Sequence, residues 1–137
     1  MTLKMRLLAT AHALPQRTVT TAEVAARCGV DPHAAETGTG VRERRWLSGT
    51  ETALSLGTRA VQDALTRAGL DVADVDVLLN ASGSQLQPIP DGAALYAREL
   101  GLSGAAAYSV HATCLSFLAA LHHAALLRVT LIHNVAQ

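Results

Sequence analysis

The sequence predicts an α/β domain built on a mostly parallel sheet with a buried central helix. Three observations carry this. Strand-like and helix-like patterns alternate along the 137 residues, as a parallel sheet with crossover helices requires. Val77, Leu78 and Leu79 are consecutive apolar residues, the mark of a strand covered on both faces. Half of the residues are apolar and 16% are charged, a balance that fills one core rather than leaving the chain disordered.

The elements follow in order. Residues 4–13 read as a strand that Pro15 ends. Thr20-Thr21-Ala22-Glu23 is a capping box for a short helix to Arg27, which Gly29 stops. Residues 31–40 read as loop and 41–47 as an exposed extended segment. Ser48-Gly49-Thr50-Glu51 is a second capping box. The helix after it carries Leu54, Val61, Leu65 and Ala68 on one stripe, with Gly69 beyond its end. A strand is expected over Val75 to Ala81, then a turn-rich loop from Gly83 to Pro90. Asp91 caps a helix that Gly101 ends, and Ala105 to Val110 is another strand. A long helix opens near Cys114 and runs to about Arg128. It has almost no polar face, so it is expected to be buried all round.

Length supports one domain, residues 1–137. Eleven basic residues balance eleven acidic ones, so there is no electrostatic footprint for nucleic acid or for a membrane surface. No apolar run approaches the roughly 18 residues of a membrane span. The short N-terminal apolar patch includes His12 and reads as strand rather than signal peptide. Two cysteines make no disulfide scaffold, and a reduced, cytoplasmic setting is the expectation.

Cys114 is the strongest candidate for chemistry. It follows a strand and opens a helix, whose N-terminal amides and partial positive charge favour a thiolate and can hold an oxyanion. A small core residue is the competing reading. Cys28 ends a short amphipathic helix and reads as structural. His111 stands three residues before Cys114, where it can orient the thiol or sit hydrogen-bonded at a strand end. His122 and His123 are adjacent and point to different sides of a helix, so no zinc spacing arises and no metal is expected. Gly38-Thr39-Gly40 lacks the further glycine or lysine of a nucleotide loop and reads as a turn. Arg42, Arg44 and Arg45 form a basic cluster that can meet an acidic carrier or a phosphate, or pair with Glu43.

Five ordered landmarks carry a resemblance. They are Thr20-Thr21-Ala22-Glu23; Thr39 to Arg45 (TGVRERR); Ala68-Gly69-Leu70 with Asp74-Val75-Asp76; Pro90 with Leu100-Gly101-Leu102; and Ala112-Thr113-Cys114-Leu115-Ser116-Phe117. Together, over about residues 4–128, they resemble the N-terminal half of a β-ketoacyl-ACP synthase III-like enzyme of the thiolase superfamily. The resemblance implies a thiolase-like half-fold and transfer of an acyl group from acyl-CoA to a cysteine. Condensation with malonyl-ACP follows, in fatty-acid or polyketide biosynthesis. Cys114 then matches the acylated nucleophile. Thr39 matches a position at the pantetheine entrance. Ile89 matches a loop residue that reaches the partner subunit's acyl pocket, where an aliphatic can alter chain-length preference. No cofactor is implied, since acyl-CoA and acyl carrier protein are substrates. A homodimer, or pairing with a full-length homologue, is implied.

Departures from the family pattern point to secondary-metabolite relatives, some of which transfer acyl groups without condensing. Ala34 and Gly38 stand where the family grips the CoA adenine, and Ser116 replaces a glycine. The family's decarboxylating histidine and asparagine belong to a second half that these 137 residues do not include. His133 and Asn134 are expected in a tail. The chain therefore reads as a truncated or frame-shifted product, not expected to condense alone. The alternative is a non-catalytic thiolase-fold subunit or interaction module.

Overall fold

The structure, a computed structural model, describes residues 5–84, 87–127 and, as backbone, 131–134. The expected positions at Lys4 and Arg128 lie outside these. The chain forms two compact units, Leu14–Thr52 on the one hand and Met1–Ala13 with Ala53–Gln137 on the other.

In the smaller unit, β1 (Arg17–Thr20) pairs antiparallel with β2 (Glu43–Trp46). Helix α1 (Thr21–Cys28) starts on the predicted capping box. Glu23 N–H donates to Thr20 Oγ1 at 3.2 Å, and Thr20 N–H donates to the Glu23 carboxylate at 2.8 Å. The Thr20 hydroxyl also donates to that carboxylate, at 3.1 Å; the two bonds to the carboxylate favour its ionised form and hold the Glu23 pKa below its ordinary 4.5, the one from the Thr20 backbone contributing most. The expected loop over 31–40 is instead helix α2 (Pro32–Thr39). Asp31 accepts from Ala34 N–H at 2.8 Å and Pro32 opens the first turn, a strong start signal despite the missing apolar stripe. Trp46 lies beneath two guanidinium groups, Arg17 at 5.7 Å and Arg27 at 5.2 Å from its ring.

The larger unit holds a parallel sheet of order β4-β3-β5, formed by β3 (Val77–Asn80), β4 (Ala106–Ser109) and β5 (Leu131–Asn134). The expected tail at His133 and Asn134 is therefore a strand, because its backbone finds ladder partners in Leu79 and Asn80. Alternate residues of β3 feed two cores. Leu78 packs with Val61 and Leu65 of α3 (Ala53–Ala68) and with Ala93, Tyr96 and Leu100 of α4 (Gly92–Leu100). Val77 and Leu79 pack with Val110 and with Ala120 of α5 (Ser116–Leu127). Helices α4 and α5 thus cover opposite faces.

Three further expectations are corrected. Residues 5–15 form no strand. Leu7 is 73% exposed, and without a neighbouring strand to share ladder bonds an apolar alternation alone makes no sheet. The second capping box does not start α3, which begins at Ala53; the Glu51 carboxylate instead accepts from Gln16 N–H at 3.1 Å and Ser48 N–H at 3.2 Å. Finally, α5 is not buried all round. Only Ser116 and Ala120 are buried, while Leu115 just before it and Phe117 and Leu118 within it stay exposed, because the sheet covers a single stripe of the helix. No described helix is long and apolar enough to cross a membrane.

Candidate functional site

Parallel strands end at one edge of a sheet. Where the helices after two adjacent strands leave to opposite faces, the loops diverge and open a crevice. Strands β3 and β4 are such a pair. Their carboxyl-terminal loops wall a cleft of about 370 Å³ lined by Ala81, Gly83 and Ser84 on one side and Thr113, Cys114, Ser116 and Phe117 on the other. Cys114, singled out from the sequence, is an exposed free thiol in this cleft.

Cys114 is carried on a 3₁₀ turn, Thr113–Leu115, that runs directly into α5. Ser116 is the helical residue that opens α5, so the thiol stands just outside its N-terminus. The first amides of such a run have no intrahelical acceptor, and the helix dipole is positive there. The turn is sharp. Thr113 has φ +48°, a left-handed conformation that costs a β-branched residue on the order of 1–3 kcal/mol. Three bonds hold it. Ala112 N–H donates to Ser116 Oγ at 3.0 Å, the Ser116 hydroxyl donates to the Thr113 carbonyl at 2.8 Å, and Leu115 N–H donates to the Ala112 carbonyl at 2.9 Å.

The opposite wall is also self-bonded. The buried Ser82 hydroxyl donates to the Ser84 carbonyl at 2.6 Å and accepts from Ser84 N–H at 3.2 Å. A Cβ on Gly83 would lie 3.6 Å from the Thr113 carbonyl oxygen, so the two loops approach closely there. His111 Nδ1 faces the Ser82 carbonyl at 3.2 Å. A carbonyl only accepts, so neutral His111 carries its proton on Nδ1 and leaves the Nε2 lone pair open. The strand-end bond is the reading its geometry favours, and His111 is not among the cleft-lining residues.

The other candidates are not among the cleft-lining residues. Ile89 is 87% exposed on the loop before α4. Thr39, in the smaller unit, closes α2; its hydroxyl donates to the Ala35 carbonyl at 2.7 Å and accepts from Val41 N–H at 3.2 Å. Cys28 is an exposed free thiol at the end of α1. Arg42 pairs with Glu36 at 3.3 Å and Arg45 with Glu43 at 4.0 Å, both at the surface, while Arg44 donates to the Thr21 hydroxyl at 3.4 Å; the expected pairing with Glu43 holds for Arg45. Among the described residues no group of three histidine, cysteine or acidic side chains is placed to hold a metal. The Ser82–Ser84 wall escaped the sequence reading, although a turn after an apolar strand in a parallel sheet is where such a wall forms.

No protein-family model matches the chain. A Streptomyces acetoacetyl-CoA synthase is 34% identical over 111 residues, covering 81% of this chain and 34% of that protein. A β-ketoacyl-[acyl-carrier-protein] synthase III from Deinococcus radiodurans is 36% identical over 108 residues, covering 79% of this chain and 32% of that protein. The crystal structure of a priming β-ketosynthase from a polyketide pathway superposes with a TM-score of 0.86 at 28% identity, over 96% of this chain and 41% of that one. The chain thus spans about a third of the length of the curated relatives it matches. Its fold is thiolase-like.

Proposed function

We propose that this chain, similar to the β-ketoacyl-[acyl-carrier-protein] synthase III enzymes, supplies the acyl-carrying half of a condensing or acyl-transferring site, with Cys114 as the nucleophile. The observation that carries the reading is the placement of an exposed thiol on a held turn in the cleft between β3 and β4. In the proposed first step Cys114 Sγ, as thiolate, attacks the thioester carbonyl of an acyl-CoA. Amides opening the helical run receive the negative oxygen. The tetrahedral adduct collapses, the carbon–sulfur bond to CoA breaks, and the CoA thiolate leaves and takes up a proton. The acyl group now rides on Cys114.

In the proposed second step a malonyl group on acyl carrier protein loses carbon dioxide. The resulting carbanion attacks the acyl thioester and returns the Cys114 thiolate. Names of relatives support this class of chemistry, for they include acetoacetyl-CoA synthase and 3-oxopimeloyl-[acyl-carrier-protein] synthase. Fatty-acid or polyketide biosynthesis in the cytoplasm is the setting proposed. Thr39 is proposed at the pantetheine entrance and Ile89 at a partner subunit's acyl pocket in a homodimer.

A second reading has its own observation. Exposed Leu115, Phe117 and Leu118 give α5 and the turn before it an apolar surface, as in a non-catalytic subunit that pairs with a complete homologue. One experiment separates the two. The chain is incubated with acetyl-CoA and its intact mass is read. A single acetyl adduct, absent in Cys114→Ala, is expected. In parallel, iodoacetamide should modify Cys114 faster than Cys28, although both thiols are exposed. No adduct from acetyl-CoA refutes the reading of Cys114 as acyl carrier, and equal alkylation of the two thiols refutes its activation by the turn.

A further inference from the structure

We infer that Ser116 is a positioning residue for the reactive thiol, its hydroxyl closing the turn that presents Cys114. The inference rests on the reading of Cys114 as the acyl carrier. Ser116 is 3% exposed and packs beneath the turn, two residues after the cysteine. Its oxygen accepts from Ala112 N–H at 3.0 Å and its proton goes to the Thr113 carbonyl at 2.8 Å. One side chain thus ties down the backbone on both sides of the Ala112–Thr113 peptide, immediately before Cys114.

The hydroxyl has one proton, and Thr113 holds it. Ser116 therefore has none left to donate to a reacting oxygen, and its role is to hold geometry. The held carbonyl matters in turn. Thr113 O also accepts the Ser116 backbone N–H and is the atom that a Cβ on Gly83, across the cleft, would meet at 3.6 Å. Ser116 thereby holds a carbonyl that faces the opposite cleft wall. The left-handed Thr113 needs such an outside constraint, since the residue does not choose that conformation by itself. A side chain without a hydroxyl at 116 supplies neither bond.

The test uses the intact chain with Ser116→Ala, Ser116→Thr and the wild type. Cys114 and Cys28 alkylation by iodoacetamide, acetylation by acetyl-CoA, and exchange of the Ala112 amide proton are measured together. Ser116→Ala should slow Cys114 alkylation about tenfold, the scale of losing one or two hydrogen bonds at the turn. Cys28 should be unchanged, Ala112 should exchange faster, and the limiting rate constant of acetylation should fall with little change in the half-saturating acetyl-CoA concentration. Ser116→Thr, which keeps the hydroxyl, should stay within a few-fold of wild type. A folded Ser116→Ala chain with wild-type Cys114 rates overturns the inference, whatever Ala112 does. If Ser116→Ala does not fold, a folded Ser116→Thr chain decides: a retained rate supports the inference and a tenfold loss overturns it. If acetyl-CoA never acylates wild-type Cys114, the acyl-carrier reading fails, while the alkylation ratios still decide the role of Ser116.

Discussion

Replacing Thr113 by glycine and by alanine separates backbone strain from every other property of the turn. At a residue with negative φ, glycine is the worse of the two by about 0.5–1 kcal/mol, because it has more chain freedom to lose. At φ +48° the order inverts. Alanine in the left-handed region meets its own carbonyl at a cost of about 1–2 kcal/mol, and glycine has no Cβ to meet it. The balance leaves Thr113→Gly more stable than Thr113→Ala by about 1 kcal/mol. Both variants lose the Thr113 hydroxyl bond to the Ala112 carbonyl, so that contribution cancels between them. With an unfolding entropy near 2.1 cal/mol/K per residue, a 137-residue chain turns this into a Tm difference of about 3–4 °C. Urea and thermal unfolding of the two variants give the number directly. An alanine variant equal to or more stable than the glycine variant refutes a strained turn at the thiol.

Other outcomes follow from features already described. Leu79 is fully buried and Leu118 is 58% exposed, so Leu79→Ala should cost about 2–5 kcal/mol and Leu118→Ala less than about 0.5 in urea unfolding. Glu23 has a lowered pKa through its bonds to Thr20, so its stabilising effect is complete above 4.5 and disappears as pH falls through the lower folded-state value. Glu23→Gln should therefore be less stable than wild type at neutral pH, with the gap closing in acid; a gap that does not change with pH denies the shift. Wild-type chain should sediment as dimers or larger species at micromolar concentration, and Ile89→Asp should shift it towards monomer while keeping the wild-type far-ultraviolet dichroism, because Ile89 packs on little of its own chain.

Much of the larger unit is legible in the sequence, since its signals are local. Asp91 and Gly101 bracket α4 because a side-chain acceptor and a left-handed stop act within one turn. The Val77–Leu79 run marks a doubly covered strand, and strand-then-cysteine places Cys114 at the carboxyl edge of the sheet. What escaped depends on partners distant in the chain or on weak periodicity. Strand β1 pairs with a segment some 25 residues on, so no window around Arg17 contains its reason for being extended. Helix α2 has caps at Asp31 and Gly40 but no apolar stripe. The apolar pattern of α5 predicts enclosure, yet hydropathy states only that a helix favours cover and does not supply the cover. Nothing in a threonine side chain announces a left-handed backbone at 113; the bonds from Ser116 impose it.

The chain has a single tryptophan, Trp46, and the guanidinium groups of Arg17 and Arg27 lie over its ring. Its emission therefore gauges the surroundings of a residue in the smaller unit, responding when those two cations leave the indole. The sheet that bears Cys114 is optically silent at that wavelength, and Tyr96 and Tyr108 of the larger unit absorb at shorter ones. Fluorescence thus follows the surroundings of one ring, whereas far-ultraviolet dichroism sums over the helices of both units. Coincident denaturation curves from the two signals would mean that the units melt as one cooperative body, whereas separated midpoints would assign a stability to each.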